Sequence, residues 1–202
     1  MASTPETLIL ASTSPARAAM LRAAGVTFHA IPAAIDESAI KRQSRAGGQD
    51  AIECAAALAE AKARAVAAGH PEAIVIGADQ VLVADGKWFD KPEDPTAAAD
   101  QLRRLRGRKH VLATAACAVR GVTVVWRATA SPELTMRCFG DVFLGEYIAA
   151  EGEAVLGSVG AYRIEGRGAQ LFKRIDGDYF AILGLPLLEL LGFLRGRGLL
   201  GE

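Results

Sequence analysis

The stretch AIVIGADQVLVADGKWFDKP, Ala73–Pro92, constrains this chain more than any other. Ala73–Gly77 is apolar and β-branched, bounded upstream by Gly69, His70 and Pro71, and reads as a buried strand. Asp79 stands where that strand is expected to end. A carboxylate after an apolar run must reach water, pair with a cation or bind a metal, because burying it alone is costly. At the carboxyl end of a strand in an α/β sheet, it faces the usual ligand crevice. Val81–Val83, an Asp85-Gly86 turn and Trp88–Phe89 then read as a hairpin. Lys91-Pro92 carries a cation back toward the same end. An acid and a cation delivered by one strand–hairpin unit suit a phosphorylated ligand. The plain alternative is an Asp that caps the strand and a Lys that is solvated.

Upstream, Thr7–Ala11 is a short buried strand followed by Ser12-Thr13-Ser14-Pro15 and a helix over Ala16–Ala24. Ser14 is a good N-cap, and Pro15 takes the favoured first helical position. A strand entering a hydroxyl-rich turn and a helix N-terminus makes a physical anion site, to which Arg17 adds a bidentate phosphate donor. The competing reading is ordinary capping with a surface Arg. Gly25–Ile31 returns as a second strand. Ile35–Ser38 is an acidic turn in which Asp36 and Glu37 face a metal or cap a helix. Polar Lys41–Gln49, with Gly47-Gly48, reads as a mobile loop. Asp50–Ala68 is a strong amphipathic helix; Lys62 on it either reaches inward between small alanines or snorkels at the surface.

Downstream the pattern predicts a helix over Pro95–Arg106, strands over His110–Val119, Val122–Ala128 and Leu134–Phe139, and a helix over Asp141–Ala150. Strands follow at Ala161–Glu165, Ala169–Ile175 and Tyr179–Leu183, then a terminal helix over Pro186–Leu194. Strand and helix alternate in the first half and strands crowd the middle, so the expected class is mixed α/β with an elongated, twisted sheet flanked by helices.

The 202 residues make one large domain or two small lobes. Lys and Arg number 23 against 23 Asp and Glu, so no whole-protein field draws in nucleic acid or an anionic membrane. Cys54, Cys117 and Cys138 form no CxxC pair and read as buried small hydrophobes of a reducing cytosol. The N-terminus has no basic segment before a long apolar core, and apolar Ala181–Leu194 is too short for a bilayer. A cytoplasmic protein is expected. GxxxxGK[ST], a GxGxxG after a strand, HExxH and GxSxG are all missing. His29, His70 and His110 are isolated and read as structural. The remaining inventory of acids, lysines, arginines and a hydroxyl-rich loop suits phosphate chemistry with a divalent metal.

Taken together, LILASTSPAR (Leu8–Arg17), AIDES (Ala34–Ser38), LAEAKA (Leu58–Ala63), IGADQVLV (Ile76–Val83), DKP (Asp90–Pro92), GAYRIEG (Gly160–Gly166) and GDYFAILGLPL (Gly177–Leu187) resemble the Maf family of nucleoside triphosphate pyrophosphatases. The resemblance covers almost the whole chain in order and implies one such domain over 1–202, with the active site in a cleft between two lobes. It implies cleavage between the α- and β-phosphates, with Asp79 as general base and Glu37 as its partner in holding Mg²⁺ or Mn²⁺. Ser12, Ser14 and Arg17 would hold the triphosphate, and Lys62 and Lys91 would neutralise the leaving pyrophosphate. Gln80 and Glu165 resemble the branch acting on 7-methyl-GTP rather than the dTTP/UTP branch. Ala16 departs from that branch's usual Trp, and Ser158 stands where many members carry a Lys. The family also implies a homodimer. Its link to septum formation leaves a second class open, a nucleotide-binding regulator without turnover.

Overall fold

In the computed structural model, residues 6–201 are described. The expectation that the N-terminal stretch Met1–Ser12 is not a secretory signal falls in part on residues 1–5, which lie outside them. Strand β1 (Leu8–Leu10) is apolar and buried at every position, so it needs cover on both edges and both faces. It pairs in parallel with β2 (His29–Ala30) on one side and β3 (Ile74–Ala84) on the other. Parallel neighbours need crossovers. Helix α1 (Pro15–Ala23) supplies the first, and α2 (Glu37–Ala46) with α3 (Ala51–Ala67) the second. The winding therefore reverses at β1.

The rest of the sheet is built from hairpins. Strand β4 (Lys87–Phe89) pairs antiparallel with β3, and β5 (Lys109–Arg120) pairs antiparallel with β6 (Thr123–Ala130) and β7 (Glu133–Met136). Strand β8 (Phe172–Asp176) pairs antiparallel with β7. The order is β2-β1-β3-β5-β7-β8 with β4 on β3 and β6 on β5, an eight-stranded mixed sheet among the described residues. Helices α4 (Pro95–Leu105), α5 (Asp141–Glu151), α6 (Tyr179–Ile182) and α7 (Leu187–Gly196) complete the α/β fold. Among the described residues no helix is long and apolar enough to cross a membrane.

The chain divides into two compact units. The first runs up to Asp79 and takes in Thr114–Ala130 and the chain from Asp178 onward; its core joins Leu8, Leu10, Leu21, Ile74, Ile76 and Leu190. The second comprises Gln80–Ala113 and Ser131–Gly177, with Leu82, Leu102, Leu105, Leu112, Leu134 and Met136 wholly buried.

Several elements differ from expectation. The segment predicted as a loop, Lys41–Gln49, is mostly helix α2: Asp36 accepts from the Ala39 N–H at 2.8 Å, and Ser44 is buried on the inner face. Strand β3 does not end before Asp79; Ala78, Val81 and Leu82 keep it buried as far as Ala84. Ala161–Glu165 is not a strand but a turn, with Gly160 and Ala161 both at positive φ. In Ala169–Ile175 a short 3-10 turn, Arg167–Leu171, precedes β8. Tyr179–Leu183 is helix α6, because Asp178 caps it through the Ala181 N–H at 2.6 Å. Cys54 and Cys117 are buried as expected, but Cys138, just past the end of β7, is exposed. The predicted hairpin turn forms, with Asp85 at φ 48° and Gly86 at 71°, the doubly positive geometry of a tight β-hairpin.

Candidate active site

Leu10 pairs with Ile76, and β1 ends there while β3 runs on. Asp79 thus stands three residues past the end of its neighbour without ending its own strand. Because β2 and β3 lie on opposite sides of β1, this is the point where an open α/β sheet leaves a ligand crevice. Loop Ala11–Ser14 leaves β1 at the same place, with the Ala11 N–H donating to the Ile76 carbonyl at 2.8 Å.

Gly77 brings α3 to this point. A Cβ there would lie 2.0 Å from the Ala59 carbonyl oxygen and 2.9 Å from the Ala63 nitrogen, so strand and helix backbones touch. Side chains alternate along a strand, which turns Asp79 to the same face as Gly77 and therefore toward α3. Lys62, on α3, meets it: the Nζ donates to Asp79 Oδ2 at 2.5 Å and lies 2.7 Å from Glu37 Oε1. Lys62 reaches inward, as the small-alanine reading of α3 requires, and its side chain is only 12% exposed. Glu37 arrives from the first turn of α2. Of the acidic pair, Asp36 is the cap and Glu37 the charge that faces Lys62. Ser44 of α2 and Cys54 of α3 are both buried.

The hydroxyl-rich loop is ordered by its own side chains. Ser12 Oγ accepts from the Ser14 N–H at 3.1 Å and from Arg17 Nη1 at 3.3 Å. Ser14 Oγ caps α1 through the Arg17 N–H at 3.4 Å. Pro15 has no N–H, which leaves Ala16, half-buried, as the first-turn N–H donor not engaged by the cap. Arg17 is buried rather than displayed: its Nε donates to the Gly184 carbonyl at 2.7 Å. Gly184 is at φ 96°, and a Cβ there would press on the guanidinium at 3.1 Å. Burial lowers the Arg17 pKa, and the charges of Asp79 and Glu37 oppose that shift. Ser12, Ser14, Ala16, Arg17, Glu37, Lys62 and Asp79 thus share one unit and two adjoining clusters.

The other predicted residues belong to the second unit. Gln80 is half-buried and Lys91 exposed. Exposed Glu165 accepts from Arg163 Nε at 3.2 Å in the turn after Tyr162. That turn is held at several points. Ser158 Oγ donates to the Tyr162 carbonyl at 2.7 Å, Tyr147 to the Ala161 carbonyl at 3.2 Å, and the Gly160 N–H to Gln101 at 3.2 Å. Gly77 and Gly184 are the site-building residues that sequence reasoning passed over. A Gly inside an apolar β-branched run is a signal of close backbone approach, and it was legible for Gly77.

Two carboxylates directed at one point, beside a loop with hydroxyl and helix-end donors, can hold a hard cation and phosphate oxygens. No group of three or more His, Cys, Asp or Glu among the described residues is placed to hold a metal. A cation here would depend on the ligand's own oxygens for the rest of its shell.

The profile of one protein family, described as Maf-like protein, matches residues 7–197. A nucleoside triphosphate pyrophosphatase of Granulibacter bethesdensis is 52% identical over 188 residues, 93% of this chain and 95% of that protein. One of Paramagnetospirillum magneticum is 50% identical over 94% of this chain and 98% of its own length. A 7-methyl-GTP pyrophosphatase of Rhizobium meliloti is 49% identical over 95% of this chain and 96% of its own.

Proposed function

This chain belongs to the Maf family, and from that premise we propose that it hydrolyses nucleoside triphosphates to the monophosphate and pyrophosphate. The observation that carries the reading is the Lys62 ammonium held between Asp79 and Glu37 where the sheet's winding reverses. The span of the matched family, 7–197, supports one functional domain.

Asp79 is the general base. It accepts a proton from a water whose oxygen attacks the α-phosphorus, as the bond from that phosphorus to the bridging oxygen of the β-phosphate breaks and pyrophosphate leaves. A positioned base contributes about 10²–10⁴-fold to such a step. Asp79 and Glu37 fit a divalent cation, Mg²⁺ or Mn²⁺, because both offer hard carboxylate oxygens at one point. Mg²⁺ characteristically binds through one or two carboxylates plus substrate phosphates. When bound, the metal neutralises phosphate charge and polarises the reacting phosphoryl group. Ser12, Ser14 and the start of α1 hold the triphosphate, Arg17 fixes the loop that presents them, and Lys62 and Lys91 balance the charge that builds on the leaving group.

Gln80 and Glu165 are assigned to the base. Glu165 can accept from guanine N1–H and the exocyclic amine, which favours a purine, with 7-methyl-GTP as the first modified nucleotide to test. The name of the Rhizobium meliloti relative supports including it. The test is pyrophosphate release from a panel of nucleoside triphosphates with Mg²⁺ or Mn²⁺, for wild type and Asp79→Asn. Metal-dependent release that falls at least about 100-fold in the variant is expected. Release unaltered by Asp79→Asn removes the base assignment. Binding without release from any nucleotide replaces the enzyme with a regulator.

A further inference from the structure

The point on which the Asp79 and Glu37 carboxylates converge is taken by the Lys62 ammonium, 2.5 Å and 2.7 Å from their oxygens. A Mg²⁺ held by the same oxygens, at about 2.0–2.1 Å, needs that same place. Two cations do not share it, since their repulsion at such a separation is large wherever water screens poorly. The Asp79 and Lys62 side chains are only 10% and 12% exposed, so screening here is weak.

We propose that Lys62 is the resting occupant of the metal position, and that a divalent cation enters together with a triphosphate whose oxygens take over the ammonium. This rests on the reading of Asp79 and Glu37 as the metal's carboxylates. A metal arriving alone must strip the ammonium of two charge-assisted contacts and leave it at a nearly closed position. A metal arriving with a triphosphate returns those contacts from phosphate oxygens. Metal and nucleotide are therefore coupled, and the coupling is reciprocal. Between turnovers the protein's own lysine bridges the two carboxylates and balances one of their two charges. Glu37, 47% exposed, is the arm that opens, because Asp79 is fixed within β3.

The experiment measures Mn²⁺ binding by the electron paramagnetic resonance of the free ion, using the whole chain without nucleotide. Lys62→Met is expected to bind Mn²⁺ about tenfold or more tighter than wild type. Lys62→Arg, which keeps a cation between the acids, is expected to stay as weak as wild type. Wild type binding Mn²⁺ alone as tightly as Lys62→Met overturns the proposal. A second readout needs no apolar variant at the site and covers the case in which Lys62→Met does not fold. The ¹⁵N resonance of the Lys62 ammonium, assigned by its loss in Lys62→Arg, should stay put with Mg²⁺ alone. It should move when Mg²⁺ is added with a non-hydrolysable α,β-methylene triphosphate. Movement with Mg²⁺ alone also overturns the proposal. Undiminished uptake of Mn²⁺ with that analogue by an Asp79→Asn, Glu37→Gln double variant removes the metal-ligand reading as well, which the earlier outcomes leave standing.

Discussion

At the scale of single residues, the sharpest consequence outside the active site concerns His110. Its ring is 1% exposed in the second unit, packed against Tyr162 and Phe172, with Nε2 2.8 Å from the Tyr162 hydroxyl and Nδ1 buried without a partner. Burial lowers its pKa from 6.5 to about 4. The folded protein therefore resists a proton that the unfolded chain accepts below pH 6.5. The stability that neutral His110 contributes is present above that pH and lost as the pH falls toward 4, at up to about 1.4 kcal/mol per unit. Urea denaturation at pH 7, 5.5 and 4.5 should show a loss that is smaller by about 2 kcal/mol in His110→Phe, after the carboxylates' common background is subtracted. Equal slopes in the two proteins would remove His110 as the source. The sequence made this histidine legible as structural, because it stands alone at the start of an apolar run. Its unfilled nitrogen was not legible, since that depends on what packs around it. For Lys62 the sequence offered inward or outward; only the approach of β3 decides it.

At the scale of elements, the site exists because α3 lies directly on β3. Gly77 permits that contact, and buried Ala59 and Ala63 face it. In Gly77→Ala the new methyl would overlap helix backbone, which cannot rotate away, so α3 must move and carry Lys62 with it. A loss of about 3 kcal/mol of stability is expected, together with a fall in activity larger than the fraction unfolded explains. Chemical denaturation and pyrophosphate release on one preparation check both. Full activity in a stable Gly77→Ala protein would mean that the contact does not position Lys62. The same element scale marks where sequence reading succeeded and failed. Strands β1, β5 and β7 and helices α1, α3, α4 and α5 were legible because each is a periodic or apolar run with a cap or turn at its end, whereas β3 was legible only in its first half, since Asp79 reads as a strand end. Helix α2 was not: only Ser44 of its residues is buried, so its polar pattern resembles a loop's. Tyr179–Leu183 misleads for the opposite reason, since a short apolar run fits strand and helix alike. The cap from Asp178 and the positive φ of Gly184 confine it to one helical turn.

At the scale of the whole molecule, the balance of 23 basic and 23 acidic residues bears on how substrate is captured. A highly charged enzyme can steer an anion from a distance and accelerate capture by about 10–10³-fold, steeply weakened by salt. This chain has no net charge with which to do so. Within the first unit the site's own charges also cancel, Arg17 and Lys62 against Glu37 and Asp79. On the proposed reading of the site, attraction for a triphosphate arises at contact, from the loop N–H and hydroxyl groups and from the Lys62 ammonium that a metal would displace. Contacts at that range lie well inside the screening length of about 10 Å at 0.1 M salt. The value of kcat/KM for the best nucleotide, measured at fixed free Mg²⁺, should therefore change less than about threefold between low and physiological ionic strength. A tenfold or greater fall would show that long-range steering operates despite the neutral total, and would place a positive lobe of potential over the entrance. A shallow dependence, combined with strong inhibition by inorganic pyrophosphate, would locate recognition in the polyphosphate contacts themselves.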